Sequence, residues 1–187
     1  MTLTANRRDF LTASAVAGVV GFSSTARAWV GGGVSARTPF HRVPRLDGEL
    51  LTDIATREEL GQDLGYATFH TPAAVLRPGS VSDVVRMIRF CRAHRIKVAA
   101  KGQGHSTDGQ TQVEAGLAID MRSLATIHDI SDGYAIVDAG STWRNLVENT
   151  LPTGQTPPVL TGFIGLSIGG TLSMGGISGM AYKTGVQ

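Results

Sequence analysis

The sequence predicts an α+β fold, and three observations carry that expectation. Short apolar runs closed by turn residues occur at 73–76, 96–100 and 117–120, each of strand length. Between the first two lies a stretch with apolar residues at helical spacing, and beyond the third come two more strand signals and a further helical one. Glycine, at 24 of 187 residues, crowds between Gly102 and Gly109 and again between Gly162 and Gly185, marking backbone that turns sharply or approaches a ligand closely. With 42% apolar and 17% charged residues, the chain suits one domain with a buried core, and no internal repeat is visible.

Taken in order, residues 29–46 contain Gly, Ser and Pro without periodicity, which reads as an extended lead-in to a domain over 47–187. Leu50, Leu51, Ile54 and Leu60 stand at roughly helical spacing, predicting a helix over 47–64. The run 73–76 reads as a buried strand ended by Pro78-Gly79. Ser80 is a candidate N-cap, because its hydroxyl can accept from the amide of Asp83, whose carboxylate also suits the positive end of a helix. Val84, Met87, Ile88 and Cys91 then fall on one stripe while Arg86, Arg89 and Arg92 take other faces, so Cys91 reads as a core thiol. It is the only cysteine, which leaves no internal disulfide. Strands at 96–100 and 117–120 bracket the first glycine group. Residues 127–130 and 134–137 flank Ser131-Asp132-Gly133 as a hairpin, and Ser141 is placed to cap a helix over 142–151 stopped by Pro152.

Ahead of this domain, Arg7-Arg8-Asp9-Phe10-Leu11, a small apolar run to Gly21 and Ala26-Arg27-Ala28 lay out a secretory signal over residues 1–28. The paired arginines resemble the twin-arginine export address, which implies cleavage after Ala28, the export machinery as a partner, and a periplasmic or extracellular destination. The apolar run is short for a bilayer span, so no stable membrane anchor is expected. This leader holds three of the chain's 17 basic residues and one of its 15 acidic ones, so the rest is balanced and nothing points to nucleic acid. No metal site is expected.

The chemistry concentrates in Ala100-Lys101-Gly102-Gln103-Gly104-His105-Ser106-Thr107-Asp108-Gly109-Gln110, a loop leaving a buried strand with glycines on both sides of a histidine. Successive amides in such a loop can form a nest for pyrophosphate oxygens. Gly-Gln-Gly-His-Ser followed by Gly109-Gln110 and Gly116-Leu117-Ala118-Ile119-Asp120-Met121 resembles the flavin-binding segment of cytokinin dehydrogenases, which have the vanillyl-alcohol oxidase (PCMH-type) FAD-binding fold. The stretch from Leu166 to Gly179 resembles that family's second flavin segment, downstream of a tryptophan-containing helix around Trp143. The resemblance runs from about Val43 to Gln187 and implies FAD held covalently through its 8α-methyl group by His105. It further implies that Ala100, Gly102, Gln103, Gly104, Ser106, Gln110, Gly162, Ser167, Gly169, Gly170, Thr171, Ser173 and Ile177 contribute to the cofactor site. Glycine amides and the hydroxyls of Ser167, Thr171 and Ser173 would solvate phosphate oxygens without a lysine.

The resemblance breaks at one position. Where cytokinin dehydrogenases carry a catalytic aspartate in a Trp-Thr-Asp-Tyr stretch, this chain has Leu160-Thr161-Gly162-Phe163, so no catalytic base is assigned. No cysteine stands near Phe163, so a single covalent link through His105 is implied. The function that follows is an FAD-dependent oxidoreductase accepting hydride from an amine or alcohol, a small-molecule substrate distinct from cytokinin. The family's pattern also leads one to expect the rest of the FAD domain and a substrate domain beyond Gln187. The alternative is a truncated fragment of such an enzyme that binds flavin weakly or not at all.

Overall fold

The computed structural model describes the backbone of residues 21–23 and 28–30 and, His41 apart, all of residues 40–187. Most of the expected leader and lead-in lies outside the described residues. Eight strands form two sheets: β1 (Gly21–Ser23), β2 (Ala28–Val30), β3 (Glu49–Leu51), β4 (Ala74–Arg77), β5 (Val98–Lys101) and β6 (Leu117–Asp120) in one, β7 (Ile127–Ser131) and β8 (Tyr134–Val137) in the other. The larger sheet runs β2-β1-β3-β4-β6-β5, antiparallel as far as β4 and parallel from there. Five helices complete the described fold: α1 (Ile54–Leu60), α2 (Val81–Ala93), α3 (Trp143–Thr150), α4 (Ile168–Met174) and α5 (Ala181–Thr184). The mixture of helices and small mixed sheets is the α+β class expected.

Strand alternation gives this sheet two buried faces. Leu50, Ala74, Leu76, Leu117 and Ile119 point to one side and pack with Met87 and Cys91 of α2. Val75 and Ala118 point to the other and pack with Leu60 of α1 and Val113. Burial pushes the Cys91 thiol up to about 11, as befits a core residue. Phe40, Val43 and Leu46 belong to the first core, so part of the expected lead-in is packed into the domain.

The helix expected over 47–64 is corrected to a strand followed by a shorter helix. Leu50 and Leu51 are used on opposite faces of the sheet, a period of two, and Asp53 starts α1 by accepting from the Thr56 amide at 2.9 Å. In α2 the cap is as expected, Ser80 accepting from the Asp83 amide at 3.3 Å. The buried stripe is Asp83, Met87 and Cys91, however, while Ile88 is 47% exposed. Thr142, one residue after Ser141, caps α3 through the Asn145 amide. Pro152 sits in a 3₁₀ turn over Leu151–Thr153 that ends this helix.

The shift of the α2 stripe has a clear cause in Asp83. Its fully buried carboxylate accepts from the amides of Asp47 (2.9 Å), Gly48 (2.8 Å) and Gly79 (2.9 Å) and pairs with Arg86 at 2.6 Å. The turn before β3, the turn after β4 and the first turn of α2 are thus joined at one side chain. Burial opposes its charge, but the Arg86 bond and the three amides hold the carboxyl below its usual value. Asp83→Ala leaves those amides unpaired and should cost about 3 kcal/mol or more, read as a lower urea midpoint with unchanged slope. Because the folded pKa is depressed, the wild-type contribution is full above the unfolded value near 4 and is lost as pH falls through the folded one. The stability difference between wild type and variant should therefore shrink in acid.

Candidate cofactor site

Parallel neighbours cannot be joined by a tight turn, so the chain from β5 to β6 must travel back along the sheet. Residues 102–116 make that journey without a helix, leaving the carboxyl end of β5 as a glycine-rich loop. In open sheets of this kind, ligands gather outside the carboxyl ends of strands. Within the loop, the Ser106 and Thr111 hydroxyls lie 2.8 Å apart and draw together the stretch that follows the exposed His105.

The second glycine segment is positioned by α3 and the residues just before it. The amides of Trp143 and Arg144 donate to the carbonyls of Leu166 (3.1 Å) and Ile164 (2.7 Å), and the Ile168 amide donates to Ser141 (2.8 Å). The buried Trp143 indole donates to the Thr171 hydroxyl at 2.8 Å, which in turn donates to the Ile168 carbonyl at 3.0 Å. A third core of Trp143, Leu146 and Ile168 lies beneath. These contacts fix the start of α4 against α3, and Ser167 then meets the first loop. A Cβ built on Gly102 would lie 2.0 Å from the Ser167 hydroxyl oxygen and 2.9 Å from its Cβ, so any side chain at 102 would force Ser167 to shift.

Between the segments lies an open cleft of about 400 Å³. It is lined by the expected residues Gly102, Gln103, Gly104, His105, Ser106, Gln110, Gly162, Ser167, Gly170, Thr171 and Ile177. Three others lie off it. Ala100 remains in β5, Gly169 packs on Ala139 and gives its amide to the Ala139 carbonyl at 2.9 Å, and the Ser173 hydroxyl donates to the Gly169 carbonyl within its own helix. Ala100, Gly169 and Ser173 therefore stand off this cleft, with polar groups engaged within the fold. Thr171 faces the cleft, but its hydroxyl is engaged with Trp143.

Thr107, Thr111, Thr161, Leu166, Met174 and Gly176 also line the cleft and were not singled out from the sequence. The threonines carried a weak signal, a hydroxyl beside a glycine group. Leu166, Met174 and Gly176 lay inside the second segment of the resemblance but carried no signal of their own.

His105 is exposed to this cleft, and its ring stacks on Phe163 with centroids 5.1 Å apart and planes 18° from parallel. Beside it, a Cβ on Gly162 would meet nothing within 4 Å. The lining includes no charged side chain, so no carboxylate opposes a pyrophosphate, while glycine backbone and the hydroxyls of Ser106, Thr161 and Ser167 offer hydrogen bonds. Size, glycine walls and a reachable imidazole fit a flavin nucleotide. Among the described residues no cluster of His, Cys, Asp or Glu is arranged to hold a metal.

Two glycine segments meeting at the carboxyl end of a parallel strand define a nucleotide-cofactor domain. The chain belongs to the FAD binding domain family, whose model matches residues 72–187. It is 40% identical over 136 residues to an uncharacterized oxidoreductase of the fasciation locus of Rhodococcoides fascians, covering 73% of this chain and 31% of that protein. It is 38% identical over 154 residues to cytokinin dehydrogenase 4 of Oryza sativa subsp. japonica, covering 76% of this chain and 29% of that one. The crystal structure of 6-hydroxy-D-nicotine oxidase from Arthrobacter nicotinovorans shares the fold, with a TM-score of 0.68 at 20% identity over 75% of this chain and 31% of that one. The chain thus spans about a third of the length of these proteins.

Gly102→Ala should push Ser167 aside and weaken reversible FAD binding about tenfold, equivalent to roughly 1.4 kcal/mol. Adding Ser167→Gly should restore part of it. FAD titration of protein purified without flavin checks both, and an unchanged Kd in Gly102→Ala contradicts the contact.

Proposed function

We propose that this chain is the cofactor-holding part of an exported FAD-dependent oxidoreductase whose flavin is joined through its 8α-methyl group to His105 and takes hydride from a C–H bond of an amine or alcohol. The observation that carries the reading is the placement of His105. The other described histidines, His70, His94 and His128, are exposed as well but do not line the cleft. His105 stands exposed at the end of β5, in the cleft made by both glycine segments, with its ring against Phe163.

When bound, the flavin supplies the electron sink, and the chain's residues supply the surroundings. Gln103, Ser106 and Ser167 border the cleft with neutral donors, and Leu166, Met174 and Ile177 give it an apolar side that keeps water from a flat ring. Oxidation of an amine or alcohol also needs a base for the N–H or O–H proton. Gly162 has no side chain, and the Thr161 hydroxyl donates to the Phe163 carbonyl at 2.8 Å. No carboxylate stands among the described lining residues, which supports a substrate other than a cytokinin. The leader supports export to the periplasm or beyond. No helix among the described residues is long and apolar enough to cross a membrane.

The test is acid precipitation of the purified, yellow protein. Wild type should keep its flavin absorbance in the pellet, and His105→Ala should release all of it. Flavin found only in the wild-type supernatant would overturn the covalent assignment.

A further inference from the structure

The family match begins at residue 72, yet the loop that carries His105 is held in place from before that point. Asp63 is buried, at 4% exposure, and its carboxylate accepts from the Gly109 amide at 2.7 Å and the Gly65 amide at 3.1 Å. Next to it, the Leu64 amide donates to the Gly104 carbonyl at 3.0 Å. Gly104 and Gly109 both take left-handed backbone conformations, with φ of 72° and 76°, and they bracket His105. A third hold lies at Lys101, whose buried ammonium donates to the carbonyls of Glu59 (3.1 Å), Leu60 (3.4 Å) and Gln62 at the end of α1. Those carbonyls are the acceptors that a helix end leaves unpaired, so one side chain closes α1 and fastens the start of the loop. All three holds reach the loop's backbone or its base, and the imidazole remains outside them, facing the cleft.

Resting on the covalent reading of His105 above, we propose that Asp63 is a positioning residue for flavin attachment, acting through Gly109 to hold the His105 loop in the shape that brings the imidazole to the flavin. In the bond-forming step an imidazole nitrogen loses its proton and joins the 8α carbon, which also loses a proton. The two electrons left over reduce the flavin ring, and dioxygen, the oxidant required, removes them as hydrogen peroxide. A loop tied at Gly104 and Gly109 presents the imidazole in few orientations. Freed at Gly109, it presents many, and misplacement by an ångström costs such a step up to about 100-fold.

The experiment measures the rate of acid-stable flavin incorporation when FAD is added in air to the 187-residue protein purified without flavin. Reversible FAD binding is measured in parallel by ultrafiltration, and folding by thermal unfolding. Asp63→Ala should slow attachment about 10- to 100-fold while reversible FAD binding changes only a few-fold, a split that general loosening of the fold does not produce. Asp63→Asn, which keeps the shape and one acceptor oxygen, should restore part of the rate, and it decides the matter should Asp63→Ala not fold. Attachment at the wild-type rate in a folded Asp63 variant overturns the proposal, as does an equal loss of reversible binding and attachment. Absence of acid-stable flavin in wild type itself marks failure of the covalent reading, and the positioning role falls with it.

Discussion

The close approach of Gly102 to Ser167 is the constraint on which the cofactor site depends. One residue follows β5 and the other precedes α4, and a methyl group at position 102 would force Ser167 to shift. Each side is built to deliver its residue to that contact. On the sheet side, the parallel pairing of β5 with β6 forces a long return path, and glycine lets the path leave the strand at once. On the other side, Trp143 places α4 by a buried hydrogen bond to Thr171, and main-chain bonds to the start of α3 fix the residues before it. The cleft exists because these two rigid arrangements meet.

Buried charge is used in this fold where chain segments must be joined. Asp83 joins three turns around the first core, and Asp120, at the end of β6, pairs with Arg122 at 2.7 Å and with Arg77 at 3.5 Å. Burial works against the Asp120 charge, yet the Arg122 contacts hold its carboxyl low. Lys101 is the cationic counterpart: burial and the neighbouring Arg122 lower its pKa, while its ammonium satisfies the end of α1. Each of these groups is hydrogen-bonded on several sides, which is the condition for keeping a charge in a protein interior. Lys101 and Asp63 flank the His105 loop, so part of this polar framework supports the site as well as the fold.

Much of this could be read from the amino acids. The buried runs of β4 and β6, the Ser80 cap, the hairpin of β7 and β8, and both glycine segments announce themselves through turn chemistry and composition, which are local. The helix assigned to 47–64 failed because Leu50 and Leu51 fit a helical stripe as well as they fit opposite faces of a strand, and only pairing with β4 decides between them. Ile88 was misplaced because an aspartate, not an apolar residue, turned out to set the inward face of α2. At the site, composition brought out the glycines and His105 but not Asp63 or Lys101. Their partners are main-chain groups, Gly109 at 46 residues' distance and the end of α1 at about 40, and no sequence pattern reports such pairings.

Gly162 narrows what the site can do. The open space beside it and the neutral lining suit the cleft to a flavin, and none of the described lining residues is a carboxylate. Cleavage after Lys101 and Arg122 isolates residues 102–122 as one peptide, and mass spectrometry of that peptide from protein purified with its flavin is the most direct measurement of attachment. The peptide should be heavier by one flavin nucleotide, with fragmentation placing the added mass on His105. An unmodified peptide beside free FAD, or the added mass on any other residue, would contradict it.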